Sequence, residues 1–113
     1  MELKTALPSL ADRTAEATKV LQAHPTKIPV IIEPRASANV LQQTRFLVPR
    51  YYTFHELLFH LRKRMQLKPM SALYITVGNQ IPRMDTKLEE LYAEFKDADG
   101  FLYVKYSTEA LLG

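Results

Sequence analysis

Side chains that could do catalytic or metal chemistry are few in this sequence, and their spacing does not bring them together. The chain has no cysteine, which excludes disulfides, thiolate nucleophiles and cysteine zinc sites. His55 and His60 would lie about 140° apart around a helix, so they cannot easily share a metal ion, and His24 precedes a proline. No metalloprotease, esterase or phosphate-loop motif is present. The sequence therefore predicts no enzyme activity, no metal site and no cofactor.

The charged clusters are predicted to be solvated helix faces. The basic run over 62–64 and the carboxylates Glu89, Glu90 and Glu94 fall in helical patterns without catalytic spacing. The net charge of +3 is small, and no stacking aromatic residues are interleaved with the basic run. Nucleic-acid binding is therefore not expected, whereas acidic peptides or anionic surfaces are mildly favoured as partners.

The composition is that of one globular domain in a reducing compartment. Of the 113 residues, 47% are hydrophobic and 24% are charged, which is ordinary for a soluble protein. No apolar run reaches the ~20 residues of a membrane span, and the amino end lacks the apolar core of a signal peptide. We expect a cytoplasmic monomer with three parts, which are a helical extension over 1–26, a folded core over 27–107 and a flexible tail over 108–113.

The amino-terminal part is predicted to form two helices, a short one near 3–7 and a longer one near 10–23. A proline separates them. Ser9 is predicted to cap the second helix, with Asp12 three residues on. The apolar face of this helix is predicted from the helical period to contain Leu10, Ala17, Val20 and Leu21.

Two further helices each begin with a predicted capping box, a Thr followed by a Glu three residues later. In the third helix Thr53 precedes Glu56, and in the fourth helix Thr86 precedes Glu89. The third helix has the clearest core-facing stripe, which consists of Phe54, Leu57, Leu58, Leu61 and Met65.

Five strands are predicted from β-branched and aromatic runs. Two of them, over 27–34 and 44–49, precede the third helix; a hairpin with its turn at 78–79 follows it; and the last strand covers 101–106. The order after the helical extension is therefore β-β-α-β-β-α-β. This order predicts an α+β fold of the ubiquitin-like β-grasp type, a mixed sheet crossed by a helix, in which the last strand lies beside the first.

Five segments in one order resemble the autophagy-related ubiquitin-like modifiers, the family that includes GABARAP. They are KIPVIIEP, RFLVP, LRKRMQL, ALYITVGNQIP and DADGFLYVKYS with the final glycine, and the similarity extends from about Arg13 to Gly113. The resemblance implies a modifier that an activating and a conjugating enzyme attach through its last glycine to phosphatidylethanolamine. It also implies a processing cysteine protease and the recruitment of partner proteins to autophagosomal membranes.

The resemblance further implies a binding site for aromatic-x-x-aliphatic peptides, the LIR motif, built by strand addition on an edge strand. Its aromatic pocket maps to Glu16, Val20, Pro29, Arg45, Leu47 and Phe101. Its aliphatic pocket maps to Phe46, Val48, Pro49, Tyr52, Leu57 and Leu61.

Other interpretations of these residues are open in the sequence. Apolar residues on both faces of 45–48 usually mark a strand buried on both sides, and Leu57 and Leu61 taken alone are better explained as core residues. Lys27 and Arg64 fall where basic residues of the family face acidic peptide positions. The basic residues common at 43–44 in mammalian members are replaced by Gln and Thr, so we expect weaker selection for acidic peptide flanks.

Gly113 is either a chance terminal residue, at roughly one in fifteen from average usage, or the reactive end of the molecule. The resemblance favours the second, because a residue without Cβ obstructs an incoming nucleophile least. Nothing follows Gly113, so no trimming is expected, and Leu112 stands where the family usually has an aromatic residue.

Two alternatives belong to other functional classes. A β-grasp domain that binds peptides without being conjugated is disfavoured by the terminal glycine. A small hydrolase or nucleic-acid binder is disfavoured because the sequence offers no nucleophile–base pair and no basic stripe.

Overall fold

A computed structural model describes residues 2–35 and 43–108 of the chain. Within these ranges the chain forms four helices and four strands. They are α1 (Glu2–Ala6), α2 (Leu10–Ala23), β1 (Lys27–Pro34), β2 (Arg45–Pro49), α3 (Phe54–Arg64), β3 (Tyr74–Thr76), α4 (Leu88–Phe95) and β4 (Leu102–Ser107). The predicted tail residues Leu112 and Gly113 lie outside the described residues.

The strands form one mixed sheet in the order β2-β1-β4-β3. β1 pairs antiparallel with β2 and parallel with β4, and β3 pairs antiparallel with β4. The last strand therefore lies beside the first, as predicted, and β2 lies at an edge.

Helices cover both faces of the sheet. On one face Ile28, Val30 and Ile32 of β1 pack in the main core with the buried residues of α3 and α4. On the other face Ile31 packs with Leu3 of α1 and with side chains of α2 and of the start of β4. Because β1 is buried on both faces, its sequence is an almost continuous apolar run rather than an alternating one.

The first two local capping predictions are confirmed. The Ser9 hydroxyl accepts a hydrogen bond from the Asp12 N–H at 3.3 Å. Thr53 and Glu56 form the full capping box, in which the Glu56 N–H donates to the Thr53 hydroxyl at 3.2 Å and the Thr53 N–H donates to the Glu56 carboxylate at 3.1 Å.

The predicted capping box of Thr86 and Glu89 is wrong. α4 has Lys87 at its N-cap, and no side chain caps the helix there. The Leu88 N–H instead donates to the Tyr52 carbonyl at 2.8 Å. The segment before α3 thus supplies a backbone acceptor that a side-chain cap would otherwise have to supply.

The predicted hairpin forms only in part. Gly78 and Asn79 both have positive φ, 58° and 64°, and Val77 and Gln80 bridge across them. The turn is confirmed, but the second strand is wrong, because no strand forms between Gln80 and the start of α4 at Leu88, a stretch that the structure describes in full. Pro82 lacks the N–H that a continued ladder needs, and β3 pairs with β4 instead.

The apolar face predicted for α2 is wrong at its first residue. Leu10 is 49% exposed, and the buried side chains of α2 are Arg13 and Ala17. The helix lies close to the loop before β4, since a Cβ added to Gly100 would lie 3.0 Å from the Ala17 Cβ. A small residue therefore fits where a leucine would not.

Candidate functional site

The edge strand β2 exposes alternate backbone groups. At the two ends of its ladder with β1, the Ile32 N–H donates to the Thr44 carbonyl at 2.8 Å and the Arg50 N–H donates to the Thr26 carbonyl at 3.0 Å. The antiparallel register is regular between them. Hydrogen-bonded and non-hydrogen-bonded pairs alternate in such a ladder, so every second residue of β2 bonds to β1.

By this alternation Phe46 and Val48 direct their backbone N–H and C=O groups to β1, whereas Arg45 and Leu47 direct theirs outward. The Gln43 side chain donates to the outward Arg45 carbonyl at 2.6 Å. Pro29 lies opposite Leu47, so its missing N–H costs no hydrogen bond to β2. The edge around Leu47 can accept an added strand.

One cavity, the first pocket, lies between α2, β1, β2 and Phe101, the residue before β4, with a volume of about 300 Å³. All six residues predicted for the aromatic pocket line it. Val30, Gln43 and Phe46 line it too. The lining residues are Glu16, Val20, Pro29, Val30, Gln43, Arg45, Phe46, Leu47 and Phe101.

The other cavity, the second pocket, lies between β2 and α3, with a volume of about 210 Å³. All six residues predicted for the aliphatic pocket line it, together with Arg64. The lining residues are Ile32, Phe46, Leu47, Val48, Pro49, Tyr52, Leu57, His60, Leu61 and Arg64.

The two pockets share Phe46 and Leu47 and therefore adjoin each other across β2. Arg45 is at the first pocket, and the Arg64 guanidinium lies 5.2 Å from the Phe46 ring at the second. Lys27, the first residue of β1, lines neither pocket. Two of the three predicted basic residues thus lie at the cavities.

Sequence reasoning missed His60 and Gln43 as pocket residues. The His60 ring stacks on the Tyr52 ring, with centroids 5.3 Å apart and an interplanar angle of 10°. In the sequence His60 stands out only as a possible metal ligand. Its position one helical turn before Arg64 and after Leu57 would have placed it on the same helix face.

A buried ion pair holds α2 against the loop before β4. The Arg13 Nε donates to the Asp99 carboxylate at 3.0 Å. Its Nη1 also donates to the carbonyls of Leu7 and Pro8, both at 2.8 Å. The pair joins residues 86 positions apart in the sequence, so the start of α2 is tied to the loop before β4.

The Asp99 carboxylate has two further donors. The Tyr103 hydroxyl donates at 2.6 Å and the Phe101 N–H at 2.9 Å. Burial and the hydrogen bond to the Asp99 carboxylate raise the pKa of Tyr103 above its ordinary value. Asp99 is fully buried and has charged or polar donors on both of its oxygens.

A second, more exposed ion pair holds α1. The Lys4 Nζ lies 3.1 Å from the Asp97 carboxylate. Burial alone would raise the pKa of Asp97, but the Asp99 N–H and the Lys4 ammonium outweigh that effect and lower the pKa. Both amino-terminal helices are therefore anchored by carboxylates of the same loop.

Across residues 2–35 and 43–108, no three His, Cys, Asp or Glu side chains come together in a way that could hold a metal ion. None of the helices in the same ranges has the length and apolarity needed to span a bilayer.

A sequence model of the family described as "Autophagy protein Atg8 ubiquitin like" matches residues 12–113. The chain belongs to the Atg8 family. Autophagy-related protein 8h of Arabidopsis thaliana is 39% identical over 104 residues, which cover 90% of this chain and 87% of that protein. Autophagy-related protein 8 of Mycosarcoma maydis is 37% identical over 107 residues, which cover 93% and 91%.

Solved structures of Atg8 proteins agree with the fold. Trypanosoma brucei ATG8 superposes with a TM-score of 0.84 at 36% identity, covering 93% of this chain and 92% of that one. Plasmodium falciparum Atg8, solved in complex with a Plasmodium falciparum Atg3 peptide, superposes with a TM-score of 0.86 at 31% identity, covering 96% of both chains. The predictions of an autophagy-related ubiquitin-like modifier and of a β-grasp fold with added helices are confirmed.

Proposed function

We propose that this Atg8-family chain is conjugated through Gly113 to phosphatidylethanolamine and recruits partners to autophagosomal membranes by binding aromatic-x-x-aliphatic peptides along β2. It is a substrate and adaptor rather than an enzyme. It is cytoplasmic until an activating and a conjugating enzyme attach it to lipid, and a cysteine protease cuts the lipid bond again. Its other partners are receptors and adaptors that carry the peptide motif.

The observation that carries the peptide proposal is the pairing of two apolar cavities with an open strand edge between them. An extended peptide that pairs with Leu47 gains main-chain hydrogen bonds, and its side chains gain specificity from the cavities on either side. The larger first pocket suits an aromatic side chain, and the smaller second pocket suits an aliphatic one. The Plasmodium falciparum relative with its Atg3 peptide is a precedent for peptide binding in the family.

The conjugation proposal rests on family membership, because the family match extends to Gly113. ATP adenylates the terminal carboxylate with release of pyrophosphate, and an enzyme thiol then displaces AMP to form a thioester. The amine of phosphatidylethanolamine displaces the thiol and forms an amide. A Cβ at the acyl residue would crowd the carbon that each nucleophile attacks.

The test removes the reactive residue and leaves the pockets intact. Deletion of Gly113 should abolish the thioester seen on a non-reducing gel with ATP and the two enzymes, and Gly113→Ala should sharply reduce it. Neither change should alter peptide affinity measured by calorimetry, since a terminal residue contributes little to the fold. Leu112→Phe, which introduces the aromatic residue usual in the family, should conjugate at the same rate or faster.

Liposomes that contain phosphatidylethanolamine complete the assay. A faster-migrating band that needs both lipid and Gly113 supports the proposal. If the deletion variant still forms the thioester and the lipid adduct, conjugation through Gly113 is wrong. Peptide binding by a wild-type chain that never forms a thioester would indicate the alternative function, a β-grasp adaptor that is not conjugated.

A further inference from the structure

We infer that Asp99 is the positioning residue of the first pocket, because its carboxylate holds two walls of the pocket, α2 and Phe101, in one arrangement. The inference rests on the proposed peptide binding and adds to it a residue that determines how the aromatic side chain is accepted. Asp99 does not line the cavity itself, so it acts through the residues that do.

The first wall belongs to α2, which contributes Glu16 and Val20 to the pocket. Arg13 precedes Glu16 by about one helical turn, so the contact of Arg13 with Asp99 sets where this wall stands. Few apolar contacts could do so instead, since the buried side chains of α2 are Arg13 and Ala17 alone, with all fourteen residues of the helix described.

The second wall is Phe101, which is 3% exposed. Its N–H donates to the other oxygen of the same carboxylate, and Gly100 between them has a φ of +90°, in the region that favours glycine. The Tyr92 hydroxyl donates to the Gly100 carbonyl at 2.7 Å. The loop that presents Phe101 is therefore held from both sides.

The carboxylate at position 99 suggests a role in geometry rather than in stability. A buried ion pair gives little net stability compared with well-packed apolar residues, but it requires defined donors in a defined geometry. Asp99 is fully buried and Arg13 is 8% exposed, so neither can exchange its partner for water. We expect the pair to contribute shape to the pocket more than it contributes free energy of unfolding.

The experiment is a double-mutant cycle between the pair and the peptide. The chain contains no tryptophan, so the fluorescence of a peptide with tryptophan at its aromatic position reports only on that side chain. Arg13→Lys keeps the charge but cannot reach Asp99, Leu7 and Pro8 together. It should weaken the tryptophan peptide about tenfold, or about 1.4 kcal/mol, and reduce the blue shift of its emission.

Two altered peptides separate positioning from general damage. A peptide with alanine at the aromatic position, whose affinity is measured by calorimetry because it has no tryptophan, should bind wild type and Arg13→Lys within about twofold of each other. A peptide with alanine at the aliphatic position should lose the same tenfold as the parent peptide. Equal losses for all three peptides, or no loss for any in a folded Arg13→Lys chain, would overturn the inference.

Two further variants complete the design. Asp99→Asn replaces the carboxylate with an amide of the same size. Where this variant folds, it should lose affinity for the peptides that carry the aromatic residue and not for the peptide with alanine there. Lys4→Gln breaks the other ion pair of the amino-terminal helices and should leave all affinities within about twofold. A wild-type chain that binds no such peptide would instead contradict the proposed function, which separates the two failures.

Discussion

The two pockets beside β2 are built from different parts of the chain. The second pocket takes all its lining residues but Ile32 from the continuous segment 46–64. The lining residues of the first pocket come from α2, from β1, from β2 with the preceding Gln43, and from Phe101. One cavity is therefore made by neighbouring residues in the sequence, and the other by tertiary contacts over long separations.

The pockets also differ in how deeply their walls belong to the core. Leu57 and Leu61 are 4% and 2% exposed and pack in the main core, whereas Glu16 and Val20 are only half-buried. The wall of the second pocket that Leu57 and Leu61 form cannot be altered without altering the core. The first pocket can change shape while the β-grasp core stays intact, and this difference can be tested by substitution.

The largest expected effect is on stability, at the second pocket. Leu61→Ala should lower the free energy of unfolding by about 2–5 kcal/mol, because it leaves a cavity in the core. Val20→Ala, at the first pocket, should cost about 1 kcal/mol or less. Urea denaturation followed by circular dichroism measures both. Equal losses would show that the two pockets are equally part of the core.

The second largest expected effect is on peptide affinity, at Leu47, which lines both pockets. Leu47→Ala should cost about 1–3 kcal/mol of peptide affinity while changing the free energy of unfolding by only about 0.5 kcal/mol, since Leu47 is 38% exposed. Titration calorimetry checks it, with the exposed Ile81→Ala as an apolar control away from the pockets. Wild-type affinity in Leu47→Ala would contradict the pocket assignment.

A smaller effect is expected from charge at the first pocket. Arg45→Glu should weaken peptides with acidic flanks more than neutral ones, and the difference should shrink as salt rises, because exposed charges are screened. Lys19→Glu on the exposed face of α2 makes the same charge change elsewhere. If both peptides lose equal affinity at every ionic strength, Arg45 does not steer charge.

The smallest effect concerns the anchoring of α1. The pKa of Asp97 is lowered in the folded chain, so its ionised form stabilises the fold above the ordinary value of about 3.9, and this contribution is lost as pH falls through the lower folded pKa. Lys4→Gln should therefore lower the thermal midpoint slightly at about pH 7 and scarcely at about pH 2. A difference that grows in acid would contradict this role.

Much of the molecule follows from signals that act within one turn of chain. The stripe of α3, the Thr53 capping box and the Gly78–Asn79 turn all appear as the sequence predicts, because each depends on neighbouring residues. The order of elements also predicts the β-grasp topology. The family resemblance then identified twelve lining residues, and the structure gathers them into two cavities.

What the sequence could not determine depends on which distant groups meet. α4 begins without its predicted cap because the backbone before α3 supplies the acceptor. Leu10 is exposed and Arg13 buried because α2 meets a carboxylate from a loop 86 residues away. Helical periodicity predicts which face of a single helix is apolar. Whether a charged side chain is buried depends on the partner that the folded chain brings to it. That pairing, and with it the shape of the first pocket, was decided by the tertiary structure alone.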